Sequence, residues 1–469
     1  MVIRRRKAGA PLEGETAGTC RAEATLATAF APGSPLAKAA GAVHIGAQQE
    51  RERLRRDDDG PGVEALAVIL GPIRAALQEP AFRAYMSANA ISVIGTWMQR
   101  TAVGWYAWEL TASPFWLGMV AFADLFPAVL IGPFAGVLAD RSDRRRIMVW
   151  TQTALALATL ATALLIMAGA IGIVGLVAMV GLKGAIIGIN QPARLALIPA
   201  LVSREHLPTA IALNSVVFNG ARFVGPALAG LVIVLSGVPA ALLVNALSYV
   251  PIILVLPGLV LTEALTPTRW EGAGRALQDG FRYIVQSPLL APLFAFFIAL
   301  SLSVRPLGDL LPGFAEGVFG AGVEGLATLS AAMGLGAVLG GLWVARLGAS
   351  LDLAQAVRLQ LAVAATAAAF ALSPSIWFAI PAIAAFGFVL IACGVGLHTA
   401  IQMGVEPALR GRVMSFFGLV FRSVPALGAL ALGALAEAVG LRAAMLVAAV
   451  VFVAVYAWLQ WRMMRANAD

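Results

Sequence analysis

The sequence predicts an all-α integral membrane protein with about twelve membrane-crossing helices in two pseudo-symmetric six-helix bundles. Three observations carry that prediction. Of 469 residues, 60% are hydrophobic and only 12% charged, whereas a soluble domain is about a quarter charged. Apolar runs near the ~20 residues needed to cross a bilayer recur from Ala84 almost to the end. The second half of the chain also echoes the first. Helices are the required element, because lipid leaves an open backbone unsatisfied.

Residues 1–62 are rich in Ala, Gly, Pro and charge and end in QQERERLRRDDDGPG. They hold too few large apolar residues to offset ordering entropy, so a disordered cytoplasmic extension is expected. Residues 63–83 begin with VEALAVILGPIRAAL, which is apolar but short and interrupted by Pro72, and read as an interfacial segment leading into the membrane. The N-terminal bundle, 84–261, divides into spans 1 to 6 at 84–108, 115–139, 147–171, 173–194, 209–236 and 239–261. A cytoplasmic linker, 262–288, follows. The C-terminal bundle, 289–461, holds spans 7 to 12 at 289–313, 323–345, 354–373, 376–405, 412–436 and 440–461, and residues 462–469 form a tail.

Orientation follows from the arginines. Arg141, Arg144, Arg145 and Arg146 lie between spans 2 and 3, and Arg204 between spans 4 and 5. Arg269, Arg275 and Arg282 lie in the linker, Arg346 and Arg358 at the 8–9 turn, and Arg410 and Arg412 ahead of span 11. The opposite connections carry Glu109, Glu316, Glu324 and Glu437, with Arg442 as the basic exception. This defines a basic face and an acidic face. The positive-inside rule makes the basic face cytoplasmic, with both termini on that side.

The net charge of +8 does not point to nucleic acid, since the arginines sit between apolar segments rather than along one polar surface. No phosphate-binding G-x-x-x-x-G-K-[ST] occurs and no nucleophile–base pair can be assembled, so an enzyme is not expected. Three histidines and two cysteines, scattered, suggest no metal site, and no cofactor is expected.

The internal echo is local. LQEPAF before span 1 resembles VQSPLL before span 7, and ARFVGPALAG in span 5 resembles FRSVPALGAL in span 11, with Arg222 and Arg422 in matching places. GPFAGVLADR at the end of span 2 has a degraded partner in GAVLGGLWVAR at the end of span 8.

The connection GVLADRSDRRR, 136–146, resembles the signature loop between helices 2 and 3 of the major facilitator superfamily. Gly136, Leu138, Asp140, Arg141, Arg144 and Arg145 match it, and Asp143 stands where Gly is common. ELTASPFWLG, QPARLALIPALVSREHL and NSVVFNGARFVGPALAG are similar to the bacterial exporter branch that includes enterobactin exporters and transmembrane secretion effectors. The resemblance covers about 75–461. It implies that helices 1, 4, 7 and 10 line a central cavity, with 2, 5, 8 and 11 where the halves meet. It also implies that Gly136, Asp140, Arg141, Arg144 and Arg145 form a conformational-switch loop. Gly136 would let span 2 approach span 11, and Asp140 would lie at the positive N-terminus of that helix. Gly220, Gly225, Pro226 and Gly230 resemble the helix-5 glycine–proline motif of superfamily exporters, although its leading glycine is absent. In physical terms, small residues allow close packing and Pro bends the helix.

An ionisable side chain deep in a span is a functional candidate by default. Asp124 and Lys183 both lie about 15 Å from the acidic face by helical rise, so they can pair. Asp124 is the best-placed carboxylate to carry or gate a proton, with Asp309 and His398 as further proton-coupling candidates. Asp309 can also simply pair with Arg305. Arg100, Arg222, Arg305 and Arg422 fall in pseudo-equivalent positions. They read either as a cationic cavity for an acid-bearing substrate or as arginines that bond carbonyls at helix breaks or snorkel to water. Lys183, Asn190, Gln191 and Gln402 complete the cavity candidates. Trp97, Trp105, Trp108 and Trp116 read mainly as an aromatic belt, with a place in the cavity lining as the alternative for Trp97 and Gln99.

The expected function is secondary active transport: export of a small amphipathic molecule (a drug, a siderophore or a secreted metabolite) by proton antiport with alternating access. Its partners would be the substrate, protons and the bilayer, without nucleic acid, acting as a monomer in the bacterial cytoplasmic membrane. An importer or facilitator, or a non-transporting membrane sensor, remains the alternative.

Overall fold

A computed structural model describes residues 63–259, 273–347, 353–406 and 409–466, and among these all regular secondary structure is helical. The expected extension at 1–62 and the first part of the linker lie outside the described residues. Residues 60–457 form one unit, which carries the site. The described turns from Trp458 belong to a second unit, where Arg462 and Arg465 lie over the rings of Trp458 and Trp461.

A helix at Val63–Gln78 precedes the spans, which follow in the expected order. Span 1 is Pro80–Thr111, span 2 Pro114–Arg141, span 3 Arg144–Met167 and span 4 Ile173–Leu197. Proline at the first position starts spans 1 and 2, where its missing N–H costs nothing. Asp143 caps span 3 by accepting from the Arg145 backbone N–H at 2.9 Å, a cap that the family's usual Gly would not supply. Spans 5 and 6 run through one continuous helical stretch, Leu207–Ser248, bent at Gly237. There φ is +79°, a conformation that glycine alone adopts without strain. Span 6 ends in short turns over Val250–Gly258.

The linker contains a helix, Ala273–Gln286, which packs on the basic end of span 11. Asp279 pairs with Arg412 at 3.0 Å, and Phe281 meets Phe416. Span 8 is Gly322–Leu347, span 9 Leu353–Leu372, span 10 Ile376–Met403, span 11 Arg410–Val439 and span 12 Leu441–Ala466.

Span 7 is broken. It starts as Leu290–Ser303, tightens into a 3-10 turn at Arg305–Leu310 and widens into a π-turn at Phe314–Val318. Pro306 explains the first break, since it removes one donor and crowds the preceding turn. Such mid-helix irregularities mark functional hinges in many proteins.

Ten helices are long and apolar enough to cross a membrane among the described residues. Span 1 falls outside that set because Asn89, Ser92, Gln99 and Arg100 dilute it, and Leu207–Gly258 counts once although it crosses twice. With both allowed for, the twelve expected spans are present. The protein is a multi-pass membrane protein.

The two halves meet through span 2 on span 11 and span 5 on span 8. Glycines show where the contact is tight. A Cβ on Gly118 would strike the Ala429 carbonyl, one on Gly433 would lie 2.6 Å from the Pro114 carbonyl, and one on Gly230 would strike Ala327. On Gly317 it would come within 2.7 Å of the Trp108 ring. All four lie toward the acidic face. Toward the basic face, Gly132, Gly220, Gly394, Gly411 and Gly418 have nothing within 4 Å. The halves are therefore packed closely at the acidic face.

Candidate transport site

Packing of span 4 on span 2 builds the centre of the site. A Cβ on Gly184 would lie 2.7 Å from the Asp124 carbonyl, and one on Gly188 would lie 2.8 Å from the Ala128 Cα. These two small residues, one turn apart, bring the backbones together and seat Lys183 beside Asp124. Lys183 Nζ stands 3.2 Å from Asp124 Oδ1, with the lysine 95% buried. The other Asp124 oxygen is 3.2 Å from Arg100 Nη1. Arg100 in turn donates to Asp309 Oδ1 at 2.9 Å. The chain Lys183–Asp124–Arg100–Asp309 thus runs from span 4 through spans 2 and 1 to the broken span 7, and its last link joins the two halves.

The Asp124–Lys183 pair forms as the spacing suggests. Asp309 does not pair with Arg305. In a 3-10 turn residues i and i+3 eclipse, so a residue four positions on is rotated by about a third of a circle. Asp309 consequently turns to Arg100 across the interface. The pseudo-equivalence of Arg100 and Arg305 is not kept in their contacts, since Arg100 holds two carboxylates and Arg305 makes no ion pair among the described residues.

Arg305 lies 4.3 Å over the Phe421 ring and 5.8 Å from that of Phe297. Arg222 lies 5.0 Å over Trp97, whose ring Arg100 also approaches at 5.4 Å. The seat for Arg222 is set one turn away: a Cβ on Gly225 would fall 2.5 Å from the Trp97 Cβ and 2.9 Å from the Ile94 carbonyl. The glycine–proline segment therefore splits by role. Gly225 docks span 5 on span 1, Gly230 docks it on span 8, Pro226 is buried beside them, and Gly220 faces open space.

The aromatic-belt reading is overturned for Trp105 and Trp108, and Trp97 agrees with its alternative reading instead. Trp105 and Trp108 are buried, Trp105 donating to Glu109 at 2.6 Å and Trp108 packing on Gly313 and Gly317. Trp97 lies under two guanidiniums.

The remaining candidates are dispersed. Asn190 is buried and donates to Thr151 at 2.6 Å, which fixes span 4 to span 3 nearer the basic face. Gln191 and Gln402 are half-buried. His398 stacks near Phe417, 5.1 Å between ring centres. Arg422 is half-buried on span 11, within electrostatic reach of Arg194.

In the 2–3 connection, Arg145 donates to the Leu259 carbonyl at 3.0 Å and lies 3.6 Å from Asp143. Gly136 is half-buried and Arg144 is partnered. The side chains of Asp140 and Arg141 lie outside the described residues. Spans 2 and 11 approach closely at the acidic end, through Gly118 and Gly433.

Sequence reasoning missed a second buried network. Gln99 accepts from Thr159 at 3.1 Å and from Asn245, and Ser248 donates to Asn245. Asn245 is fully buried in span 6. An amide inside an apolar run was the available signal. Among the described residues, no group of three or more His, Cys, Asp or Glu is placed to hold a metal.

Two bundles meeting at spans 2, 5, 8 and 11, with charges buried between them, define a membrane transporter of the two-bundle secondary type. The family profile described as "Transmembrane secretion effector" matches residues 72–469, and the chain belongs to that family within the major facilitator transporters. It is 26% identical over 365 residues to the enterobactin exporter EntS of Shigella boydii, covering 76% of this chain and 85% of that one. It is 27% identical over 175 residues to the staphyloferrin A transporter of Staphylococcus aureus, a match spanning 37% of this chain and 44% of the relative. Solved structures share the fold. A bacterial homologue of the lysosomal transporter Spinster superposes with TM-score 0.64 at 19% identity, covering 82% and 97% of the two chains. A bacterial homologue of ferroportin in an inward-facing state gives 0.59 at 19% identity, covering 80% and 98%.

Proposed function

We propose that this protein exports a small amphipathic molecule from the cytoplasm by proton antiport, alternating between states open to one face and then the other. The basic face is cytoplasmic by the charge rule, so both termini are cytoplasmic, and the face opposite the tight glycine contacts is the one that admits substrate from inside the cell. The membrane is the bacterial cytoplasmic membrane, and one chain is the working unit.

The observation that carries this reading is the Lys183–Asp124–Arg100–Asp309 chain. It places a carboxylate that two cations compensate at mid-membrane, and it ends in an ion pair between the halves. Protonation of Asp124 frees Arg100 and Lys183 to respond to substrate, and release of Asp309 by Arg100 lets the acidic face open. A binding event in the cavity is thus linked to movement of the halves through shared partners. The relatives named for siderophore transport place secreted iron chelators among the substrates to try first.

The test uses everted membrane vesicles containing the protein and a labelled panel that includes enterobactin and staphyloferrin A. Uptake into the vesicles of at least one compound, driven by an imposed proton gradient and abolished by its collapse, is expected. Movement of compounds independent of the gradient would make the protein a facilitator. No movement of any compound would support a sensor on the same scaffold.

A further inference from the structure

We propose that Arg222 and Arg305 form a two-part anion site, one guanidinium from each half, that takes a substrate bearing two carboxylates. The proposal rests on the transport reading above and names its substrate class. Four cations lie within reach of Asp124 or Asp309, while Arg422 lies within reach of Arg194 instead; of the four, Arg100 and Lys183 are compensated by those carboxylates. Arg222 and Arg305 have no hydrogen bond and no ion pair among the described residues. Both lie within electrostatic reach of Asp309, and Arg305 lies within reach of Arg222 as well. Two carboxylates against four cations leave two positive charges, one on span 5 and one on span 7. A dianion neutralises the set.

Geometry makes these arginines receptive. Each guanidinium lies on an aromatic face, Arg222 on Trp97 and Arg305 on Phe421. Stacking holds the planar group in place and leaves its N–H edge free for a bidentate carboxylate contact. The surrounding rings are partly exposed. Phe218 touches Trp97 of span 1 and is 39% exposed, and Phe421 touches Phe297 of span 7 and is 42% exposed. A ligand there meets flat apolar surface beside each cation, which suits an amphipathic diacid. Because one arginine comes from each half, a ligand holding both bridges the halves where Arg100 and Asp309 already join them.

The test is equilibrium binding to the purified full-length protein in detergent, measured by calorimetry with no gradient applied. The probes are isophthalate, an aromatic dicarboxylate, with benzoate and dimethyl isophthalate for comparison. Isophthalate should bind at least about tenfold tighter than benzoate, and the uncharged ester should show no saturable binding. Arg222→Gln and Arg305→Gln should each weaken isophthalate by about tenfold or more, while Arg222→Lys and Arg305→Lys keep part of the affinity. Arg346→Gln, an exposed arginine at the basic end of span 8, should stay within about twofold of wild type. Elution as a single species and an unchanged melting curve establish that each variant is folded. Failure of isophthalate to bind folded wild-type protein overturns the proposal, as does equal binding by the Gln variants or by benzoate. Binding that follows these rules in a protein that moves nothing in vesicles would overturn the transport reading and leave the anion site standing.

Discussion

Replacing Asp309 by Asn removes the carboxylate through which the C-terminal half holds Arg100, and the cost can be worked from the contact. The guanidinium and carboxylate meet at 2.9 Å, with side-chain exposures of 27% and 20%. Two unit charges about 4 Å apart attract by ~4 kcal/mol at an effective dielectric constant of ~20. Part of that is offset, because Arg100 keeps Asp124 and solvent reaches both groups. A charged hydrogen bond in such a setting contributes about 1.5–3 kcal/mol net. On the proposed mechanism the contact exists only while the acidic face is closed, so its loss moves the conformational equilibrium by that amount. At 1.4 kcal/mol per tenfold, the opening constant rises about 10- to 100-fold. Spin labels on cysteines at Leu110 and Val439, both exposed at the acidic ends of spans 1 and 11, report that opening by electron–electron distance, in a chain with Cys20 and Cys393 replaced by Ala. Wild type should give one short distance, and Asp309→Asn a second, longer population. A distribution superimposable on wild type in folded protein would refute the assignment of this pair as a latch.

Other substitutions probe the rest of the site. Gly230→Val drives a side chain into Ala327; overpacking of this kind costs about 1–3 kcal/mol, seen as a lower melting temperature in detergent. Lys183→Met leaves Asp124 with Arg100 alone and should destabilise by about 3–5 kcal/mol, while Lys183→Met with Asp124→Leu recovers most of that stability without recovering transport. His398→Gln should change proton-driven transport by no more than about twofold, since its ring rests against Phe417; loss of proton dependence would move coupling to span 10. Asp140→Asn should impair transport while leaving membrane abundance unchanged, measured by vesicle uptake and immunoblot.

Much of the fold is legible in the sequence because the bilayer imposes it. Apolar length alone places the spans to within a few residues, and the motif of the 2–3 connection names the architecture. Asp124 and Lys183 were legible as a pair because both sit in regular helices, where rise per residue converts position into depth. Asp309 was not, because Pro306 unwinds span 7 and no periodicity predicts which way a 3-10 turn faces. Trp97 lies midway along span 1, and only the docking of Gly225 reveals that it lies beneath Arg222. The amides Gln99 and Asn245 stand out in their apolar runs, but that they are partners cannot be read without knowing that spans 1 and 6 are neighbours.

The central claim is that Asp124 couples proton movement to substrate movement. Proteoliposomes containing purified protein and an internal pH dye test it directly, once a transported compound is in hand. A pulse of substrate should move protons in the opposite direction through wild type. Asp124→Asn should still exchange labelled for unlabelled substrate across the membrane but move no protons. Proton flux in Asp124→Asn equal to that of wild type would contradict the account.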